Sequence, residues 1–172
     1  MNSRIINNNS ITNQYVNVYS FNGKTTYLPI FQRGFAWKAE QTEKILENID
    51  TLLNDNSFSD KQLYLLDFIG FDENGNFKLA DGQQRFITLT ILTKCVREYM
   101  LEHNMTPTIQ EFAVEYDDMD CQKLWSDFSS GKIIAPYKKV YLRLNQYVQE
   151  HGADIRNIEL ILMQNIYIYI NR

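Results

Sequence analysis

The sequence predicts an α+β protein, with strands concentrated before residue 104 and helices after it. Apolar residues fill positions 63–71 and 77–80 on either side of the polar stretch 72–76, which is typical of a β-hairpin. Apolar residues recur at helical spacing over 40–54 and again over 83–103, so a long helix is expected in each stretch. Most of the chain after residue 104 also has helical patterns.

The composition is that of an ordinary globular protein and excludes several functional classes. The chain has 172 residues, 44% of them hydrophobic, and a net charge of −4. This length suits one domain, or one domain with an appendage. The negative charge argues against a protein that works only by non-specific attraction to phosphates.

The two cysteines predict neither a disulfide framework nor a zinc site, because they form no CxxC pair. Cys95 lies in a helical apolar pattern and is expected in the core. A polar, Asn-rich start predicts no signal peptide, and no apolar run reaches the roughly 20 residues that a membrane span needs. We therefore expect a reduced, cytoplasmic setting.

The N-terminal part divides into an arm and a domain. Residues 1–14 are Asn-rich and predict a flexible arm, anchored at most at its isoleucines. Residues 15–31 alternate weakly between apolar and polar, with Asn22-Gly23 as a turn. We expect one folded domain over 15–104.

Residues 105–172 predict a helical extension, which we expect to be incomplete. Pro107 is expected to start a short helix, residues 120–128 to form another, and Pro136 to begin a third. The stretch 158–170 is almost entirely apolar, and periodicity leaves a buried helix and a strand equally open.

The most informative local feature is the stretch Asp81-Gly82-Gln83-Gln84-Arg85, where a predicted strand gives way to a helix. Gly82 permits a sharp turn and a close approach to the backbone. The first helical turn offers unpaired N–H groups and a partial positive charge, which suit a phosphate, and Arg85 adds a forked cation. Asp81 could hold a metal or orient water. It could equally be only a helix cap, and both interpretations stay open.

This stretch belongs to the second of two clusters, residues 81–89, numbered in chain order. The first cluster, residues 29–37, precedes the first long helix. It places Gln32 and Arg33 between aromatic residues, and Arg33 is either a second phosphate contact or a surface residue. We expect Phe31, Phe35 and Trp37 to pack against the core and not to stack on a base.

Both clusters resemble a known family. Residues 29–37 are similar to a "PxYQRxYxW" signature and residues 81–89 to "DGQQRLTTL". In this order they resemble the N-terminal domain of GmrSD-type modification-dependent restriction enzymes and related phage-defence proteins. The resemblance is good over about 15–101 and weaker beyond, and it implies a ParB/sulfiredoxin-like fold, a small mixed sheet with helices.

The resemblance implies a regulatory domain of a DNA restriction system that binds, and in some relatives hydrolyses, a nucleoside triphosphate (GTP or another) with Mg²⁺. It implies three catalytic candidates, which are Asp81, Gln84 and Arg85. Asp81 is also the candidate Mg²⁺ ligand. The implied nucleotide- and phosphate-binding residues are Gln32, Arg33, Gly82, Gln83, Arg85 and Thr88.

The sequence departs from the family pattern in several places. Phe31 and Phe35 replace tyrosines, and Phe86-Ile87 replaces Leu-Thr. Relatives continue into an HNH-type nuclease domain, whereas here only His103 and His151 are present and neither has metal-ligand spacing. We therefore expect no nuclease site in this chain and a partner nuclease domain or protein.

Two other functions remain open. The first is a non-catalytic module that binds DNA or senses its modification, through Arg33, Arg85, Lys132, Lys138, Lys139 and Arg143. The second is a protein-interaction remnant with an inactive pocket, which would bind a companion, or a second copy as a homodimer, through 158–170. The acidic run at Glu115, Asp117, Asp118 and Asp120 is expected to be a solvated loop or a helix cap.

Overall fold

A computed structural model describes residues 3–6, 15–29, 34–55, 62–71 and 75–170. Within them lie five α-helices and a seven-stranded mixed sheet, which confirms the α+β class. Among these residues, no helix combines the length and the apolar character that crossing a membrane requires.

The strands form one sheet with the order β2-β7-β4-β5-β3-β6, and β1 pairs with the first half of β4. Their bounds are Ser3–Ile6 (β1), Tyr15–Asn17 (β2), Thr25–Leu28 (β3), Gln62–Phe71 (β4), Phe77–Asp81 (β5), Ala113–Tyr116 (β6) and Ile166–Ile170 (β7). β4 and β5 pair antiparallel, so the predicted hairpin is confirmed.

The far side of the sheet is locally parallel. β3 runs parallel to both β5 and β6, so the carboxyl ends of these three strands meet at one edge of the sheet. The chain leaves this edge at Leu28 towards the first cluster, at Asp81 towards the second and at Tyr116 towards a helix. Ligands commonly bind outside the carboxyl ends of parallel strands.

The helices are α1 (Ala39–Leu53), α2 (Gln83–Glu102), α3 (Met119–Ser129), α4 (Lys138–Glu150) and α5 (Ile155–Gln164), and short 3₁₀ turns occupy Val18–Phe21 and Gly152–Asp154. The predicted helices over 40–54, 83–103 and 120–128 are confirmed to within about a residue. The helix expected from Pro136 is also present and begins two residues later.

α2 is the central helix and is buried on all sides over its first half. Residues 86–93 are all buried, including three threonines. Each threonine hydroxyl donates to the carbonyl four residues earlier: Thr88 to Gln84, Thr90 to Phe86 and Thr93 to Leu89. These bonds satisfy hydroxyl groups that would otherwise be costly to bury. Cys95, further along α2, is fully buried as expected.

The prediction of a helix starting at Pro107 is wrong. Residues 105–112 are irregular and lead into β6, because the side chain of Glu159 supplies this segment with a hydrogen-bond acceptor. Glu159 is buried in α5, and one carboxylate oxygen accepts from Thr108 N at 2.7 Å and from Ile109 N at 3.0 Å. Arg156 donates to the other oxygen at 3.1 Å.

The prediction that 105–172 is helical is also wrong in part. β6 and β7 both come from this stretch, and β7 lies inside the sheet between β2 and β4. The stretch 158–170, left open between helix and strand, contains both: α5 ends at Gln164 and β7 follows. Ile158, Ile161 and Ile166 are fully buried. The surface proposed for a companion protein or a second copy is therefore largely the core of this domain.

The structure differs from the expected flexible arm at Ser3–Ile6, which forms an antiparallel strand on β4. The pairing supplies partners for backbone groups that the sequence alone leaves unassigned. Residues 1–2 and 7–14 of the predicted arm lie outside the described residues.

The contact of Glu159 predicts a large stability effect. We expect Glu159→Ala to lower the free energy of unfolding by about 3 kcal/mol, because the N–H groups of Thr108 and of buried Ile109 lose a charged acceptor, and Arg156 loses its buried partner. Urea denaturation would measure it, with Glu47→Ala on the exposed face of α1 as the control. A change below about 0.5 kcal/mol, the scale of ordinary surface substitutions, would contradict this assignment.

Candidate functional site

The second cluster, residues 81–89, lies where β5 meets α2. Gly82 joins them in the left-handed conformation, with φ +79° and ψ +19°, a region that suits glycine. Its carbonyl accepts from Arg85 N at 3.1 Å and from Phe86 N at 3.2 Å and so starts the helix. The N-cap position is Gly82, so Asp81, the last residue of β5, is not the N-cap.

The side chains that follow Gly82 differ in exposure. Gln83 is buried, with 6% of its surface exposed, whereas Gln84 and Arg85 are half-buried. Thr88 lies one turn further along, is 5% exposed and donates to Gln84 O at 2.8 Å. Its place in the structure is that of a packing residue of α2.

The side chain of Gln84 joins the two clusters. Its Oε1 accepts from Ala36 N at 2.8 Å, and its Nε2 donates to Gly34 O at 3.3 Å. A single carboxamide thus satisfies a donor and an acceptor of the first cluster, residues 29–37, from the first turn of α2. The structure places Gln84 as a positioning residue, and its predicted catalytic role stays a prediction.

α3 approaches the same segment from a different direction. An ideal Cβ on Gly34 would lie only 2.9 Å from the Sγ of Cys121. The carboxylate of Asp118, close to Cys121 at the start of α3, accepts from Asp120 N at 2.9 Å and from Cys121 N at 3.0 Å. Asp118 is therefore the N-cap of α3, as expected for the acidic run, and these donors lower the pKa of its carboxyl group.

α4 packs on the aromatic residues of the first cluster. Phe35 is buried and stacks on Tyr137, with ring centroids 5.4 Å apart, which confirms that Phe35 packs in the core. Burial raises the pKa of Tyr137 to about 12. Trp37 is half-buried, and Lys139 Nζ lies 5.9 Å from the centroid of its ring.

Several predicted site residues lie outside the described part of the chain. Gln32, Arg33 and Phe31 are among them, and so is the side chain of Asp81. Their roles stay predictions, and so does the expectation that Arg33 lies close to Arg85. The bonds of Gln84 to Gly34 and Ala36 bring the two clusters together.

Two of the cations proposed for DNA contact already face carboxylates. Arg143 donates to both oxygens of Glu43, at 2.6 and 2.8 Å, and lowers the pKa of that carboxyl group. Lys132 lies 3.7 Å from Asp127. These two contacts argue against the alternative in which the cations bind DNA, although Lys138 and Lys139 are exposed.

An acidic cavity of about 440 Å³ lies beside β6 and α3. Glu115 and Asp117 line it, so it does not suit phosphate. Among the described residues, no group of three or more His, Cys, Asp or Glu side chains is placed to hold a metal ion. At this edge of the sheet, the N-terminus of α2 is the feature best suited to an anion.

Sequence reasoning missed three residues that shape the site: Gly34, Cys121 and Tyr137. Gly34 gave a signal, since it interrupts a run of bulky residues. Cys121 gave none, because only the fold brings α3 against residue 34.

Comparison with protein families decides the identity. The family model described as "GmrSD restriction endonuclease, N-terminal domain" matches residues 13–172. The chain belongs to this family. No curated protein and no solved structure matched the chain. The predicted resemblance to GmrSD N-terminal domains is therefore confirmed, whereas the ParB/sulfiredoxin-like fold stays a prediction.

Membership makes the chain a component of a restriction or defence system. The GmrSD match also continues through α3, α4, α5 and β7, where the resemblance was weak in the sequence. Helices α3 and α4, which contact the first cluster at Gly34 and Phe35, thus lie within the part of the chain that the GmrSD N-terminal model matches.

The bonds of Gln84 predict a local effect on amide exchange. We expect Gln84→Ala to accelerate hydrogen exchange at Ala36 about tenfold, because its N–H loses a bond worth ~1 kcal/mol or more. Gln122→Ala is the matched control, since Gln122 Oε1 accepts from Tyr116 N at 2.6 Å. The Gln122→Ala variant should accelerate hydrogen exchange at the Tyr116 amide and leave exchange at the Ala36 amide unchanged. If both variants accelerated exchange equally at both amides, the assignment would be contradicted.

The surroundings of Cys121 predict slow alkylation. Burial, and then the negative charge of Asp118, raise the pKa of its thiol, so the reactive thiolate is scarcer at pH 8 than in a free cysteine. Asp118→Asn keeps an N-capping side chain but removes the charge, and it should speed iodoacetamide labelling of Cys121 about threefold. Mass spectrometry would measure the rate, with fully buried Cys95 as the internal control. An unchanged or slower rate would refute the electrostatic cause.

Proposed function

We propose that this GmrSD N-terminal domain binds a nucleoside triphosphate with Mg²⁺ and acts as a nucleotide-dependent regulatory domain of a restriction system. The observation that carries this proposal is the left-handed turn at Gly82, which starts α2 at the carboxyl edge of β3, β5 and β6. The proposal rests on that geometry together with the family.

The phosphates are assigned to the start of α2. Glycine at the N-cap lets a ligand approach the backbone closely, and the aligned peptide dipoles favour negative charge there. Arg85 follows in the first turn, half-buried, where a guanidinium can donate two parallel bonds to phosphate oxygens. Gln83 and the first-cluster residues Gln32 and Arg33 complete the proposed set.

The divalent cation is assigned to Asp81. Mg²⁺ in nucleotide sites is commonly held by one or two carboxylates together with phosphate oxygens. Asp81 is the last residue of β5, immediately before the turn at Gly82, so a carboxylate in this position fits that donor set. The cation would neutralise charge on the phosphates.

Hydrolysis is a further part of the proposal. Asp81 would orient water and Arg85 would stabilise the charge that develops on the transferred phosphoryl group. Gln84 would contribute by holding the first cluster in place, since both ends of its amide bond to that backbone. DNA cleavage is assigned to a partner nuclease domain or protein, and the setting to the cytoplasm.

Equilibrium titration with ATP and GTP in the presence of Mg²⁺ tests the proposal. We expect Arg85→Ala to weaken binding about 10- to 100-fold, the ~1.5–3 kcal/mol of a hydrogen bond to a charged group. Arg143→Ala is the matched control, because that guanidinium is engaged by Glu43 away from the site. Equal affinity of parent and Arg85→Ala would refute the assignment.

The same titration separates the DNA-binding alternative. Suppose that neither nucleotide binds, whereas duplex DNA binds with an affinity that falls steeply with salt. The anion site at the start of α2 would then bind the phosphates of a nucleic-acid backbone. The exposed Lys138 and Lys139, the latter with its Nζ 5.9 Å from the centre of the Trp37 ring, favour this alternative as the second candidate.

A further inference from the structure

The backbone at residue 34 is held from two sides. On one side Gly34 O accepts a bond from Gln84 Nε2 of α2, at 3.3 Å. On the other, the Sγ of Cys121 in α3 occupies the space in which a side chain at residue 34 would begin. The position of this segment therefore depends on α3 as well as on α2.

Cys121 lies in the first turn of α3, next to its N-cap. The carboxylate of Asp118 accepts from the backbone N–H groups of Asp120 and Cys121, at 2.9 and 3.0 Å. The N-cap of α3 thus fixes the backbone that carries the Cys121 thiol. A methyl group added at Gly34 would have to displace the thiol, shift the segment, or do both.

The adjoining residues turn a shift at Gly34 into a change at the site. Ala36 N donates to Gln84 Oε1 at 2.8 Å, and Phe35, between Gly34 and Ala36, is stacked on Tyr137, the N-cap residue of α4. Because these contacts lie within three consecutive residues, a displacement at Gly34 strains both bonds of Gln84. Gln84 belongs to the first turn of α2, where the phosphates are proposed to bind.

We infer that Cys121 is a positioning residue of the anion site: its thiol, packed on Gly34, fixes the depth at which the 34–36 segment docks against the start of α2. This inference rests on the proposed function, since it assigns a residue to the same site. Cys121 acts by packing, touches no ligand, and differs from Cys95, which is fully buried in α2.

A double-substitution cycle tests the inference in the full chain. Gly34→Ala should weaken Mg²⁺-ATP or Mg²⁺-GTP binding about tenfold, the typical penalty of one added methyl in a close-packed contact. Cys121→Ala alone should weaken binding about threefold, because the segment loses the thiol that sets its depth but keeps both bonds of Gln84. Combining both substitutions should return the affinity to within about threefold of the parent, since the added methyl then has room.

Gly152→Ala is the matched control for general destabilisation. An ideal Cβ on Gly152 would overlap the hydroxyl of Tyr99, so this variant is also overpacked, but between the turn Gly152–Asp154 and the last turn of α2, at the opposite end of that helix from Gln84. It should lower the melting temperature without changing the affinity of the folded protein. If Gly34→Ala behaves like Gly152→Ala, with stability lost and affinity kept, the positioning role is overturned.

Other results overturn the inference directly. Failure of Cys121→Ala to rescue Gly34→Ala would show that the thiol is not what excludes the methyl group. Loss of binding in Cys121→Ala alone would indicate that the thiol acts chemically.

Amide exchange at Ala36 separates this inference from the proposed function. If the parent binds no nucleotide, the proposed function fails. Hydrogen exchange at Ala36 still tests whether the Cys121 thiol packs on Gly34 and positions the segment. Gly34→Ala should speed exchange at Ala36, and Cys121→Ala should reverse the change. Unchanged exchange in Gly34→Ala would overturn the inference, whatever the nucleotide result.

Discussion

The candidate site depends on one carboxamide. The side chain of Gln84 accepts from Ala36 N and donates to Gly34 O, two backbone groups that lie 48 and 50 residues away along the chain. A carboxamide can make both bonds at once, whereas a carboxylate lacks the donor. These bonds hold the first cluster beside the turn at Gly82, so a ligand at the start of α2 would meet both clusters.

The bonds of Gln84 can fix the first cluster only if the helix that carries Gln84 is itself held in place, and the packing of the rest of the domain does this. The first half of α2 is buried on all sides, and its threonines satisfy their hydroxyl groups within the helix. α3 and α4 then close the first cluster through Cys121 and Tyr137. The family model matches residues 13–172 and so spans both the domain predicted over 15–104 and the extension predicted after it.

The charges around the site restrict where an anion can bind. Arg143 and Lys132 face carboxylates, and the corner between β6 and α3 is acidic. The start of α2, with Arg85 in its first turn, is the place at this edge where helix dipole and guanidinium act together. The proposed triphosphate site would thus require no broad basic surface in a protein with a negative net charge.

Local patterns were enough to predict the α+β class, the hairpin, helices α1 to α4 and the GmrSD resemblance, because periodicity, turn residues and short motifs are local properties of the chain. That 166–170 is a strand follows from the folded structure alone, since its parallel partner β4 is distant in sequence and an apolar run suits a helix equally well. The same holds for Pro107, where the buried carboxylate of Glu159 replaced the expected helix. The contacts of Gln84, Gly34 and Cys121 likewise required the fold, because pairing between remote segments leaves no periodic trace in the sequence.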